Sequence, residues 1–211
     1  MKIADRIGNL LLPTDCCCFA CEEEAHVGRD QLCDACREQL KFCSSSKCRE
    51  PLDGFTAGLL YDGLGGHMAR RLKYSMQTKF ARTLACYIEI PPEWQFDCIV
   101  PVPLHMCKLI LRGFNQSKLI AEELCLPSPR PIRTDLLRRT RFTKTQTRLD
   151  RKMRSTNVRN AFCASAKVKG LSLLLIDDVS TTQSTLLECA RTLKSAGAVR
   201  VYAASACTIL E

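Results

Sequence analysis

Two adjacent carboxylates, Asp177 and Asp178, end an apolar run and are followed by Val179, Ser180, Thr181, Thr182, Gln183, Ser184 and Thr185. A helix starting in such a stretch presents unpaired backbone N–H groups and a partial positive charge, which together attract an anion. The hydroxyl side chains add donors for a phosphate. The two acids would repel that phosphate unless they faced groups that donate to them. Ribose hydroxyls do so, with a divalent cation as company. Helix capping accounts for one such residue, not for two acids and five hydroxyls within nine positions. The chemistry implied is recognition of a sugar phosphate.

A second cluster lies near the other end of the chain. Cys18-x2-Cys21 and Cys33-x2-Cys36 are two CxxC pairs separated by eleven residues. Each CxxC turn points two thiolates at one ion, and two turns complete a tetrahedron. These four thiols are the expected ligands of one zinc ion. Residues 1–50 are too few to bury a sufficient core, so metal binding would supply folding energy. Four protein ligands leave no open coordination position, which makes the expected zinc structural. Cys16 and Cys17 could shift the register by a residue or two. Cys43-x4-Cys48 is a weaker pair, and His26 is expected to be exposed.

The elements needed to position these groups follow from Pro51 onward. Phe55–Tyr61 reads as a strand. Gly63–Ile90 reads as one or two amphipathic helices, with Met68, Leu72, Phe80, Leu84 and Ile88 on one side. Phe96–Pro103 is a buried strand running into a loop, and Asn115–Leu124 is helical. Ser172–Ile176 (SLLLI) is continuously apolar, as a strand covered on both faces must be. Thr185–Ser195 is a helix stopped by Gly197, and Val199–Ala206 is the next strand. Residues 172–206 thus form a βαβ unit, which requires a parallel sheet with a right-handed crossover. In such sheets ligands bind beyond the carboxyl ends of the strands, where the acid pair stands.

The chain has 211 residues and a formal net charge of +9. Eleven Arg and Lys against two Asp give Arg130–Asn160 that same balance of +9, leaving the rest of the chain neutral. A basic segment suits anionic partners without choosing among them. Met1–Pro13 carries Lys2, Asp5 and Arg6, and Leu10–Leu12 is too short for the apolar part of a signal peptide. No apolar run is long enough to span a bilayer. A cytoplasmic protein without membrane insertion is expected. Seven further cysteines (Cys86, Cys98, Cys107, Cys125, Cys163, Cys189, Cys207) are scattered singly, as small buried hydrophobes would be in a reducing compartment.

The segment Asp177–Thr185 resembles the signature of type I phosphoribosyltransferases, in which two acids hold the ribose of phosphoribosyl pyrophosphate (PRPP) and the next loop wraps its 5-phosphate. The match extends along the chain. The Cys18–Cys36 knuckle, Tyr61-Asp62-Gly63, Leu72-Lys73-Tyr74, Val100–His105 (VPVPLH), Arg112–Gln116 (RGFNQ), Thr143-x2-Gln146, Arg154, Asn157-Val158 and the acid-pair segment occur in the order seen in the ComF family. Those are phosphoribosyltransferase-like proteins, some of them tied to DNA uptake in competent bacteria. The resemblance implies an α/β fold: a type I phosphoribosyltransferase-like parallel sheet flanked by helices in residues 51–211, behind a zinc knuckle in residues 1–50. It implies that Asp177 and Asp178 hold the ribose hydroxyls with Mg2+ present, and that Val179 to Thr185 hold the 5-phosphate. Lys73, Arg112 and the Pro101, Val102, Pro103, Leu104 turn would face the pyrophosphate, under a hood from the basic Arg138–Arg154 stretch.

One position departs from the family. Its loop reads Thr-Thr-Gly where this chain has Thr181-Thr182-Gln183. Glycine lets the backbone approach a phosphate and adopt positive φ. Gln183 would either donate an amide hydrogen bond or crowd the phosphate.

Three functions remain open at this point. The first is phosphoribosyl transfer, a glycosyltransferase reaction, from PRPP to an acceptor the sequence does not name. His105 is the one candidate base, although a lone loop histidine is more often structural. The second is an accessory protein for DNA uptake that grips single-stranded DNA through the knuckle and the basic stretch, where only Phe142 could stack on a base. The third is a non-catalytic sensor of PRPP or a nucleotide. A competence helicase and self-association stay open as further partnerships.

Overall fold

The computed structural model describes residues 17–44, 47–124, 126, 128–142 and 158–209. In chain order the elements are the one-turn helix α1 (Asp34–Arg37), β1 (Gly54–Leu60), α2 (Gly63–Tyr74), α3 (Phe80–Ala85), β2 (Cys98–Pro101), α4 (Met106–Arg112), α5 (Gln116–Glu123), β3 (Leu137–Arg139), β4 (Phe162–Ala164), β5 (Ser172–Ser180), α6 (Ser184–Ser195) and β6 (Arg200–Thr208).

β5 is the spine. Its side chains alternate between faces, so Leu173 and Leu175 enter one core while Leu174 and Ile176 enter another. All four are fully buried. β5 pairs in parallel with β2 on one side and β6 on the other, and β1 pairs in parallel outside β6. The sheet order is β1-β6-β5-β2. This is the parallel sheet flanked by helices that the apolar run and the βαβ pattern require.

On one face, Met68 and Leu72 of α2, Phe80 and Leu84 of α3 and Ile120 of α5 pack on Leu59, Ile99, Leu174 and Ile176. On the other, Leu186 and Leu193 of α6 pack with Leu137 and Phe162 of the antiparallel β3–β4 pair. Each such side chain contributes about 1.5–3 kcal/mol by leaving water. Gly63–Ile90 forms two helices, and α6 gives way to Gly197 at φ 96°, the left-handed conformation that glycine adopts without penalty.

The cysteine-rich segment joins the first of these cores through Cys18, Leu32, Cys36 and Leu40. Asp30 fastens it from the side. Its carboxylate accepts from Arg37 Nε at 2.9 Å and Nη2 at 3.0 Å, and from the Tyr87 hydroxyl.

Among the features that differ from the sequence reading are one helix and two thiols. Helix α4 was not anticipated, because none of its residues is buried and so it carries no core-facing stripe. Cys107 and Cys163 are exposed, whereas Cys98, Cys189 and Cys207 are the buried thiols expected; Cys125 lies outside the described residues. Among the described residues, no helix is long and apolar enough to cross a membrane.

Candidate functional site

The parallel strands share one carboxyl edge, and β5 carries Asp177 and Asp178 to it just beyond the Pro101–Ile176 pairing with β2. The strand continues through Ser180 instead of stopping at Ile176. Both acids are buried, and the local backbone partly meets them. Asp177 Oδ1 accepts from Asp178 N–H at 2.9 Å, and Asp178 Oδ1 from Val179 N–H at 2.9 Å. Ser117 Oγ donates to Asp177 Oδ1 at 3.1 Å. Asp178 Oδ2 has no hydrogen-bond partner and lies 3.4 Å from Lys73 Nζ.

This arrangement sets the charges. Burial pushes the Asp177 carboxyl up to about 7, and the adjacent Asp178 charge adds to the shift, against Lys73 and its hydrogen bonds. The Asp178 charge in turn raises Lys73, outweighing its burial. Lys73 is held there by α2, whose neighbouring Met68 and Leu72 are fully buried.

Three more cations line the cleft with the acids: Lys108 and Arg112 from α4, and Arg139 from β3. Burial, reinforced by Arg139, Lys73 and Arg112, pushes Lys108 down to about 8. Burial likewise lowers Arg139. Aromatic rings support this wall. Arg112 lies 5.8 Å from the Tyr74 ring centre, Lys108 Nζ 5.6 Å from that of Phe142, and Arg139 5.3 Å from that of Phe162.

Helix α4 can stand here without a core because its ends are fixed. His105 caps it, with Nδ1 accepting from Cys107 N–H at 3.2 Å, and bridges to Arg139 through its backbone. Gly113 stops it at φ 80°. Asn115 then caps α5, accepting from Ser117 N–H at 3.1 Å while donating to the Val102 carbonyl at 3.0 Å. That second bond holds the 101–104 turn against the cleft.

The resulting cleft has a volume of about 140 Å3. Of the residues singled out from the sequence, Lys73, Val102, Pro103, Leu104, Arg112, Asp177, Asp178, Val179 and Thr185 line it. Pro101 lies in β2 beneath it, and Ser180, Thr181, Thr182, Gln183 and Ser184 form the adjoining strand end, turn and start of α6. Thr182 and Ser184 share a hydroxyl–hydroxyl hydrogen bond of 2.7 Å. Gln183 sits at φ 56°, and its amide donates to the Lys47 carbonyl at 2.7 Å. The side chain is therefore tied to the cysteine-rich segment and is not among those lining the cleft. Of the basic stretch, Arg139 enters the cleft and Arg138 is exposed. Residues 143–157, with Gln146 and Arg154, lie outside the described residues.

Sequence reasoning gave no role to Lys108, Gln116 or Ser117, all of which line the cleft. The usable signal was the Gly113 stop followed by the Asn115 cap, which places residues 116 and 117 on a first helical turn. His105, weighed as a base, acts as a cap.

The knuckle brings its four thiols together. The Sγ atoms of Cys18, Cys21, Cys33 and Cys36 all lie within 4.8 Å of one another, and those of Cys21 and Cys33 are 3.9 Å apart. A tetrahedron built on Zn–S bonds of about 2.3 Å has edges of roughly 3.8 Å, so the donor set fits one zinc ion. Burial raises Cys18, but backbone N–H groups from Cys21, Cys33 and Ala20 overcome it and hold the thiol at about 6. Donors aimed at sulfur favour the thiolate a metal requires. Cys17, Cys43, Cys48 and His26 are not part of this cluster, and Cys16 is outside the described residues.

No family model matches the chain. It is 27% identical to Competence protein F of Haemophilus influenzae over 209 residues, covering 85% of this chain and 91% of that one. It is 27% identical to Competence protein ComFC of Bacillus subtilis over 207 residues, covering 89% and 82%. Identity reaches 39% over 118 residues with the DNA utilization protein YhgH of Escherichia coli, covering 54% of this chain and 50% of that one; the chain thus spans about half the length of that relative. Among solved structures, a glutamine PRPP amidotransferase from B. subtilis matches at a TM-score of 0.38 and 20% identity, over 66% of this chain and 26% of that one. A phosphoribosyltransferase from Corynebacterium diphtheriae matches at 0.37 and 14%, over 66% and 80%. Scores this low carry no weight for fold or ligand, and the parallel sheet stands on its own strand registers.

Proposed function

This chain is similar to ComF-type competence proteins over most of its length, and from that premise we propose that its cleft binds PRPP with Mg2+. The observation that carries the reading is one cleft lined by two buried carboxylates and by four cations from three other elements, beside a helix start. The ribose hydroxyls donate to Asp177 and Asp178. The 5-phosphate takes the N–H groups and hydroxyls of Val179 to Thr185. The pyrophosphate lies toward Lys73, Lys108, Arg112 and Arg139, and Mg2+ offsets its charge near the acid pair.

Transfer of the phosphoribosyl group to an acceptor fits the same geometry. The bond between the anomeric carbon and the pyrophosphate oxygen breaks, the electron pair leaves with pyrophosphate, and the acceptor's nucleophile bonds to that carbon. The cations stabilise the departing charge, and the acid pair faces the positive ring that develops. His105 Nδ1 is occupied by the Cys107 N–H, so the acceptor must be nucleophilic without help from that atom.

Calorimetric titration with PRPP and Mg2+ tests the proposal. The expected result is saturable binding that Asp178→Asn weakens. No heat and no thermal shift at millimolar PRPP would remove it.

A second reading has its own observation. Tyr74 and Phe142 are exposed at opposite ends of α4, each beside a cleft cation. Rings and cations in that order can seat the bases and phosphates of single-stranded DNA. The expected gel shift weakens steeply with salt; absence of binding at low salt excludes it.

A further inference from the structure

Buried polar atoms without partners are costly, and folded chains keep few of them. Among the described residues several such atoms are scattered, Thr83 Oγ1 and Ser205 Oγ among them, but three belong to side chains of the cleft. Asp178 Oδ2, Arg112 Nη1 and Gln116 Nε2 all lack a hydrogen-bond partner, and all three residues line the cleft. The first two are charged groups with a place in the proposed binding of PRPP. Gln116 is different: it is neutral, 1% exposed, and has no such place.

Its position is well determined. Asn115 and Ser117, on either side, are committed to the Val102 carbonyl and to Asp177. Both bonds fix the first turn of α5, so the Gln116 side chain has little freedom to turn away. An amide NH2 left without an acceptor lowers stability. A ligand atom supplies the missing acceptor when the cleft is filled.

We propose that Gln116 is a specificity-determining residue that donates a hydrogen bond to a phosphate oxygen at the diphosphate end of the ligand. This rests on the reading of the cleft as a PRPP site. The choice of end follows from supply and demand of hydrogen bonds. Ribose hydroxyls are matched by the two carboxylates. A phosphate oxygen is a pure acceptor, and the Lys108, Arg112 and Arg139 side chains in the same cleft draw it there. Gln116 then separates ligands by the presence of the diphosphate. A phosphoribosyl monophosphate satisfies the acid pair and the phosphate loop but leaves this amide unmet.

The test uses the full chain with Mg2+ and three probes: PRPP, pyrophosphate and ribose 5-phosphate. In Gln116→Met, which keeps the size and removes the donor, affinity for PRPP and pyrophosphate falls about 10- to 100-fold. Affinity for ribose 5-phosphate stays within about twofold, and the melting temperature is unchanged or higher, because a stranded buried amide is gone. Gln116→Glu keeps the shape and sets a carboxylate against the cations, so it abolishes pyrophosphate binding while retaining the fold. It serves as the test should the Met variant melt early. Equal weakening of all three probes together with a lower melting temperature would make Gln116 structural and overturn the proposal. Unchanged binding in both variants would overturn it while leaving the cleft reading intact. Failure of the parent chain to bind any probe overturns the cleft reading and this proposal with it.

Discussion

Replacing Asp177 by Asn should stabilise the protein at neutral and alkaline pH and progressively less as pH falls. The Asp177 carboxyl moves from an ordinary value of 3.8 to about 7 on folding, because burial and then the Asp178 charge oppose its ionisation. Between those values the folded chain binds more protons than the unfolded one, so this group's contribution to stability falls as pH rises. Only below about pH 3 are both states protonated, and there the effect vanishes. Above about pH 7 both are ionised, and the full cost of about 4 kcal/mol stands. Asn removes the charge, and its Oδ1 can still accept from Ser117 and Asp178 N–H. For a chain of this length 4 kcal/mol corresponds to roughly 10 °C in Tm. The assay is urea or thermal unfolding of parent and variant at a series of pH values from 4.5 to 8.5. The difference should be about 1 kcal/mol at pH 4.5 and grow to its full size through pH 7, with PRPP affinity reduced throughout. A variant that is less stable at pH 8, or whose offset is the same at every pH, would refute the claim that this acid is held against its charge.

Other consequences are equally checkable. Emission spectrometry should find one zinc per chain, and Cys33→Ser should lose it; because Leu32 and Leu40 lie in the main core, a strong chelator should lower the melting temperature of the whole protein. Lys108 is pushed down to about 8 and must be protonated to hold an anion. Pyrophosphate affinity should therefore fall as pH rises through 8, and Lys108→Met should remove that part of the fall, leaving the change near pH 7 where Asp177 ionises. Gln183 is held at φ 56° at a strain of roughly 1–2 kcal/mol, offset by its bond to the Lys47 carbonyl. Gln183→Gly should leave stability within about 1 kcal/mol of the parent and PRPP affinity unchanged in calorimetry, because the side chain points to Lys47 and not into the cleft; a raised affinity would show that Gln183 weakens the loop.

The parts of the fold that were legible in the sequence are those with a strong apolar signal. SLLLI reads as a strand covered on both faces, and β5 is one. Met68, Leu72, Phe80 and Leu84 marked the helices of one layer, and all four are fully buried. The CxxC spacing marked the four thiols that meet. Helix α4 escaped because Met106, Ile110 and Leu111 are exposed and its stability rests on end contacts instead of a buried stripe. Strands β3 and β4 are three residues each, too short for alternation to register. Missing α4 concealed Lys108; Asn115–Leu124 was read as helical, but that Ser117 and Gln116 face the cleft depends on how the helix packs beside Asp177. The acid pair was visible as chemistry, but the burial that raises Asp177, and the Lys73 and Ser117 side chains that oppose the shift, come from elements far away in sequence.

The arrangement of a bound ligand is the sharpest test of the central claim. A crystal structure with PRPP and Mg2+ should show the 5-phosphate against residues 179–185, the ribose hydroxyls on Asp177 and Asp178, and the pyrophosphate toward Lys73, Lys108, Arg112 and Arg139. Clear density for PRPP elsewhere on the protein, or bound here with its sugar turned away from the two carboxylates, would contradict it.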